Sequence, residues 1–385
     1  MGHILSLPEE LEEFRGAVRE ICRAHLASRA AEIDEDDEFP RDVHKVFVDN
    51  DLMGVGLPEE HGGAGGGSLT AAIMIEEIAR VSASASLIPL VARLGAIPVM
   101  LAGSDPQKDE LLEGISGGRH LMAYALTEPG SGSDAAAMRT RYERDASGTF
   151  RLSGVKRFIT NAGVADRYTL FAQGDPDQKA KGISAFVVHG DDPGFSVGKS
   201  EKKMGIRGSP TREVYLDGTE IPGDRLIGRE GEGFGYAMQT LDYSRPTIAA
   251  QALGIAQGAF DAAASYAAER EQFGEKIARF QGIQFLLADM AIQIEAARLL
   301  VYRAAGACDE ADPRLTYLAS IAKTHASDTA MRVTTDAVQV LGGYGYMREY
   351  GVERMMRDAK ITQIYEGTNQ IQRLVIARQI TDRFR

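Results

Sequence analysis

The hydrophobic period of this 385-residue chain changes twice, and those changes limit the fold more than any single motif does. Up to about residue 120 apolar residues recur at three- and four-residue steps. Leu11, Phe14, Val18, Ile21 and Cys22 share one helical face, opened by the capping-box pattern Ser6-Leu7-Pro8-Glu9. From about 121 to 232 the pattern becomes short alternating runs, Phe150-Arg151-Leu152, Tyr168-Thr169-Leu170-Phe171 and Ile183-Ser184-Ala185-Phe186-Val187-Val188, between clusters of Gly, Asp and Pro. A period of two bounded by turn residues predicts a compact antiparallel β domain. From about 233 long helices return, with Ile283, Leu287, Met290, Ile294, Ala297 and Val301 on one stripe, as in a helix bundle. The expectation is a mainly α chain with a central β domain, divided as 1–120, 121–232 and 233–385.

This order argues against several enzyme classes. Gly130-Ser131-Gly132-Ser133-Asp134-Ala135 formally fits GxGxxA. Pro129 precedes it and a β domain follows, whereas a dinucleotide fingerprint sits in a βαβ unit. The glycine run 62–67 lacks the Lys-Ser/Thr ending of a P-loop and is expected to be a flexible connection before a helix at about Leu69 to Val81. None of the 7 histidines has HxxxH spacing or stands near paired carboxylates, so no metal site is expected, and no GxSxG elbow occurs. A net charge of −12 with scattered basic residues argues against a nucleic-acid partner. Cys22 and Cys308 are too few for a disulfide framework and suit a reducing compartment. With no basic segment leading a long apolar stretch, and no unbroken run of about 18 apolar residues, the expectation is a cytoplasmic protein without a membrane span.

Certain segments look built for a ligand. Tyr124-Ala125-Leu126-Thr127-Glu128-Pro129-Gly130-Ser131-Gly132-Ser133-Asp134 joins a strand-like start to a glycine-rich turn, with hydroxyls at Thr127, Ser131 and Ser133 beside backbone N–H groups. That arrangement suits a flat heteroaromatic ring. Phe158 and Thr160 are two apart, hence on one face of a strand. Arg270-Glu271-Gln272-Phe273-Gly274, Phe280-Gln281-Gly282 and Gln339-Val340-Leu341-Gly342-Gly343 combine aromatic, polar and glycine positions. Near the C-terminus, Ile361, Ile364 and Tyr365 lead to Glu366-Gly367-Thr368-Asn369-Gln370. One carboxylate thus stands on an apolar approach beside a glycine where backbone can come close to a ligand. Held among apolar groups it would have a raised pKa and be a stronger base once ionised. Taken alone, it better suits a surface glutamate before a turn.

Taken together, in this order and spacing, Thr127 to Asp134, Arg270 to Gly274, Gln339 to Gly343 and Ile364 to Thr368 resemble the acyl-CoA dehydrogenase family from about Leu5 to Arg373. The resemblance implies an N-terminal helical domain, a middle antiparallel β-barrel-like domain and a C-terminal four-helix bundle. It implies one FAD per subunit. Tyr124, Leu126, Thr127, Gly132 and Ser133 with Phe158, Ile159 and Thr160 would meet the flavin ring, and Thr368 and Gln370 would complete that subunit's site. Arg270, Gln272, Phe273, Phe280 and Gln281, with Gln339, Val340, Leu341, Gly342 and Gly343, would hold the adenine and pyrophosphate across a subunit interface. The site would then need at least a dimer, and a homotetramer, a dimer of dimers, is usual for the family. Glu366 would remove the α-proton of an acyl-CoA thioester while the β-hydride passes to the flavin. Its backbone N–H and a ribityl hydroxyl would polarise the thioester carbonyl. Ser133, Asp242, Arg245 and Gly367 would contact the CoA arm and acyl chain, and electrons would leave to an electron-transfer flavoprotein.

The chain departs from the family at a position where many relatives have Trp. Here Phe158 stands, keeping a stacking surface without an indole N–H. A minority branch carries its base just before the Arg matching Arg245; here that position is Ser244, which cannot serve as a base. The readings that follow are a short- or medium-chain acyl-CoA dehydrogenase, a flavin dehydrogenase or oxidase of a carrier-tethered or otherwise specialised acyl thioester, and a catalytically silent acyl-CoA-binding subunit. The absence of Arg and Lys from Val81 to Ala92 disfavours a dicarboxylyl substrate.

Overall fold

The computed structural model describes residues 7–384 and is 60% helical with a central β region. Ser6 of the expected capping box lies outside the described residues, and α1 (Glu9–His25) has Pro8 at its N-cap with no side-chain cap. Its predicted face is the one turned inward, Val18 and Cys22 being fully buried. Beyond it lie α2 (Ala30–Asp36), α3 (Arg41–Asp49), α4 (Gly67–Ala79), α5 (Ala83–Ala102) and α6 (Asp105–Ser116).

The glycine run is an ordered turn rather than a flexible link. Gly62, Gly65, Gly66 and Gly67 all have positive φ, which only glycine adopts without strain. The helix it opens starts at Gly67, slightly ahead of the predicted Leu69. The N–H groups of Ser68 and Leu69 donate to the Asp309 carboxylate at 2.6 and 3.0 Å. The anion at this helix N-terminus is therefore the protein's own.

Eight strands form one sheet: β1 (Met122–Ala125), β2 (Arg141–Arg144), β3 (Phe150–Thr160), β4 (Arg167–Gln173), β5 (Ile183–His189), β6 (Phe195–Val197), β7 (Thr211–Ile221) and β8 (Leu226–Ile227). The order is β6-β7-β3-β2-β4-β5-β8, with β1 beside β4. Two features differ from the expected antiparallel barrel. β1 runs parallel to β4, and β2 meets β4 in parallel at Arg141 and Gln173. The sheet is also open among the described residues, ending at β6 and β8. β4 and β5 are buried nearly end to end because α5 and α7 (Gly233–Glu269) cover them, so even polar positions such as Thr169 and Ser184 are buried.

The C-terminal region has three long helices, α7 of 37, α8 (Gln281–Asp309) of 29 and α9 (Leu315–Leu341) of 27 residues. A two-stranded hairpin, β9 (Glu271–Gln272) and β10 (Glu275–Lys276), separates the first two. The expected four-helix bundle is completed by two short helices, α10 (Val352–Thr362) and α11 (Asn369–Thr381), both packed on α9. One hydrophobic core runs without a break from α1 to α10, because α4 and α5 pack on α7. Within it, α5 is long and apolar enough to cross a membrane by length and composition, with mean hydropathy 1.8, although Ser84, Ser86 and Arg93 interrupt its apolar run. In the fold 83% of that window is buried, so α5 serves as a core helix.

Candidate active site

A cavity of about 480 Å³ opens between α5, the β1 turn, α7 and the segment joining α10 to α11. The sequence places Tyr124, Leu126, Thr127, Gly132, Ser133, Phe158, Ile159, Thr160, Arg245, Glu366 and Gly367 at a ligand, and all of them line this space. Sequence reasoning missed the opposite wall, Leu87, Leu90, Val91 and Leu94 of α5 with Met238, Leu241 and Ile248 of α7. The α5 residues recur at helical spacing, so the stripe was visible in the sequence. A stripe that faces a cavity reads like one that faces a core.

Glu366 sits in the turn after α10 with φ +57°, followed by Gly367 at φ +88°. A non-glycine residue in the left-handed region costs energy and persists only where its surroundings fix it. Here the fixing groups are buried. Gln372 Nε2 donates to the carbonyls of Glu366 and Gly367 at 3.0 and 3.1 Å, and Lys323 Nζ donates to the Gly367 carbonyl at 2.8 Å. A Cβ on Gly367 would meet the Gln372 amide at 2.7 Å, and φ +88° would strain any residue but glycine. Ser244 Oγ, on α7, donates to Glu366 Oε2 at 2.5 Å. Burial pushes the Glu366 carboxyl above its ordinary value, against the opposing pull of Ser244, Arg245 and Lys323. Two tyrosines beside it, Tyr124 and Tyr365, are pushed upward by burial and by the Glu366 charge, so both stay neutral. The Tyr365 hydroxyl donates to Gln251.

Arg245 reaches the cavity and its Nε has no hydrogen-bond partner among the described residues. Asp242 does not line the space. It stands behind Arg245, 2.7 Å from Nη1, and accepts from Thr316 Oγ1 at 2.6 Å.

The turn after β1 is held by a buried pair that sequence reasoning did not find. Lys156 Nζ lies 2.9 Å from Glu128 Oε1, and both side chains are nearly inaccessible. Glu128 also accepts from the N–H groups of Arg139 and Thr140 at 2.6 and 3.0 Å. Burial alone would raise the Glu128 carboxyl, but Lys156 and these donors outweigh it and hold it below its usual range. Burial brings Lys156 down to about 8. The expected ligand role of the Ser131 hydroxyl is not what the fold uses: it donates to the Asp134 carbonyl at 2.6 Å and closes the turn. The β3 alternation also breaks. A bulge between Lys156 and Ile159 puts Phe158 at φ +58°, 59% exposed, with the Arg157 guanidinium 4.9 Å from its ring centre.

The remaining predicted residues assemble elsewhere. Arg270, Gln272, Phe273, Phe280, Val340, Leu341, Gly342 and Gly343 line a separate groove of about 550 Å³ with Tyr266 and Tyr344. Phe273 is 94% exposed at φ +57°, and a Cβ on Gly342 or Gly343 would meet nothing within 4 Å. Gln281, Gln339 and Gln370 are exposed and line neither space, and Thr368 caps α11 by accepting from the Ile371 N–H at 3.3 Å. One group of metal-type ligands exists among the described residues, His189, Asp191 and Asp192, which corrects the expectation that no histidine stands near paired carboxylates. Asp192 is already paired with Arg225 at 2.7 Å and accepts from the His189 N–H.

Three family models match consecutive parts of the chain: acyl-CoA dehydrogenase N-terminal domain at residues 8–119, middle domain at 123–219 and C-terminal domain at 231–381. The chain is 52% identical over 377 residues to the protein named "Probable acyl-CoA dehydrogenase FadE25" of Mycobacterium tuberculosis, covering 98% of this chain and 97% of that one. It is 47% identical over 375 residues to cyclohex-1-ene-1-carbonyl-CoA dehydrogenase of Syntrophus aciditrophicus, covering 97% of this chain and 90% of that one. The solved structure of butyryl-CoA dehydrogenase from Megasphaera elsdenii superposes with a TM-score of 0.95 at 41% identity, covering 98% and 99% of the two chains.

Proposed function

The chain belongs to the acyl-CoA dehydrogenase family of FAD-dependent oxidoreductases, and on that premise we propose that it converts a short- or medium-chain acyl-CoA, linear or branched, to the trans-2-enoyl-CoA with Glu366 as base. The observation that carries this reading is a carboxylate half-buried in a cavity with an apolar wall. Ser244 holds Glu366 Oε2, and among the described residues no protein donor is bonded to Oε1. That leaves one oxygen for a substrate proton. The raised Glu366 pKa makes the ionised group a stronger base than a solvated carboxylate. The α5 wall of Leu87, Leu90, Val91 and Leu94 suits an uncharged hydrocarbon chain; Arg93 on the same helix turns away to the Gly56 carbonyl and Ser68. Relatives whose names specify butyryl-CoA and cyclohex-1-ene-1-carbonyl-CoA agree with a compact acyl group.

The residues present fit FAD. Tyr124, Thr127, Phe158 and Thr160 line one cavity, and a Cβ on Gly132 would meet nothing within 4 Å, so backbone there is open to a ring system. A flavin held by these residues would supply the acceptor for the β-hydride. The chain's own part is to hold the thioester against Ser133, Arg245 and Gly367, to take the α-proton on Glu366 and to polarise the carbonyl through the Glu366 N–H. The groove of Arg270, Phe273 and Gly342 does not line this cavity, so in this reading it serves the flavin of a neighbouring subunit in a homotetramer. Exposed Phe285, Ile292 and Leu299 on α8 support self-association. We place electron exit to an electron-transfer flavoprotein at the exposed Phe158 ring. The free, buried Cys22 and Cys308 support a cytoplasmic site, and 1–120, 121–232 and 233–385 are retained as its domains.

The test is a panel of acyl-CoAs from C4 to C16 with branched and cyclic members, with enoyl-CoA formation followed with and without an electron-transfer flavoprotein. Dependence on the flavoprotein supports the dehydrogenase, and equal turnover with oxygen alone would replace it with an oxidase. Ser244→Ala checks the base. Losing a hydrogen bond to the charged form moves the acid limb of the rate profile up by about one pH unit, and Ser244→Thr leaves it in place.

A further inference from the structure

Lys323, on α9, is fully buried. Its Nζ donates to the Gly367 carbonyl at 2.8 Å and to Asn369 Oδ1 at 3.0 Å, and among the described residues no carboxylate lies within ion-pair distance. A buried ammonium with only neutral acceptors is costly. Hydrogen bonding does not account for it, because the neutral Gln372 amide already donates to the Gly367 carbonyl and to that of Glu366. What Lys323 adds is charge. The charged groups acting on it are Glu366 in the turn, Arg245 on α7 and Asp328 on α9 itself, while α11 presents the neutral Asn369. Asp328 is engaged by Arg373, Asn369 and Gln363, which leaves Glu366 as the carboxylate free to balance the ammonium.

We propose that Lys323 is a positioning residue for Glu366: it fixes the left-handed Glu366–Gly367 turn through the Gly367 carbonyl, and its charge keeps the carboxylate ionised when a substrate fills the cavity and excludes water. This rests on Glu366 being the base. Burial brings Lys323 down to about 7, so the charge it supplies falls away as pH rises through neutrality.

The experiment is an infrared difference titration of the holoenzyme, with Glu366→Gln subtracted to isolate the Glu366 carboxyl. In Lys323→Met the Glu366 midpoint rises by about one pH unit, and Lys323→Arg, which keeps the charge, returns it towards the original value. The rate profile follows: at neutral pH Lys323→Met lowers kcat about tenfold while KM stays within about twofold. If Lys323→Met does not fold, Lys323→Gln gives the same readout with a donor retained. An unmoved Glu366 midpoint in whichever neutral variant folds overturns the proposal. The titration needs no turnover, so an enzyme whose flavin no acyl-CoA reduces sinks the dehydrogenase reading without deciding the role of Lys323.

Discussion

Glu366→Gln is expected to keep its FAD and lose its chemistry, slowing flavin reduction by acyl-CoA about 10²- to 10⁴-fold. Gln preserves the shape of the turn, because Lys323 and Gln372 hold its backbone rather than its side chain. It also keeps an oxygen for the Ser244 hydroxyl. What disappears is the proton acceptor. Cofactor content and melting temperature should therefore match the parent protein while reduction by substrate slows by that factor. Retained reduction in this variant would place the base elsewhere. Ser244, the position used by the minority branch, cannot take over, since its hydroxyl already donates to Glu366.

The largest loss of stability is expected from Glu128→Ala. It leaves the Lys156 ammonium buried with only the Leu126 carbonyl at 3.2 Å and the Met138 sulfur at 3.9 Å. Breaking a buried pair from one side typically costs about 3–5 kcal/mol. The same change frees the Arg139 and Thr140 N–H groups and loosens the turn carrying Thr127 and Gly132, so FAD retention should weaken as well. The pH dependence has a definite sign. Glu128 is held below its unfolded value, so its contribution is full above the ordinary carboxylate range and is lost as pH falls through the folded value. Lys156 is depressed to about 8, so the unfolded chain binds more protons between there and the ordinary lysine value, and stability from this group rises with pH across that window. Thermal melting of the parent protein from acid to mildly alkaline pH should show both slopes, and Glu128→Ala should lose the acid one. A variant that melts with the parent would mean the pair is not what holds the turn.

The changes of hydrophobic period were enough to place helices, sheet and helices in order, because periods of two and 3.6 are properties of contiguous sequence. The cavity-lining residues between Tyr124 and Ser133 and from Phe158 to Thr160 were legible for a similar reason: each set is a compact motif, and β1 and β3 bring them to one cavity. Glu366 was readable as a motif but not as a geometry. Nothing in the composition around it predicts φ +57°, which is imposed by donors distant along the chain; Lys323 is 44 residues before Gly367. The Glu128–Lys156 pair, 28 residues apart, carries no local signal either, and Lys156 reads as an ordinary strand lysine until β3 folds over the turn. The Phe158 bulge overrode strict alternation, and Asp309 met the glycine-run helix from the far end of α8. These are tertiary choices, and pairwise contacts of this kind are invisible to a periodicity argument.

In the proposed function Glu366 and the face that would line the flavin act on one acyl thioester in one cavity. Anaerobic mixing of the purified FAD-loaded protein with the acyl-CoA panel, following the visible flavin band, tests it most directly. At least one short- or medium-chain acyl-CoA should bleach the flavin in a single turnover and yield one equivalent of enoyl-CoA. A flavin that stays oxidised with every member, in protein that binds FAD stoichiometrically, would contradict it.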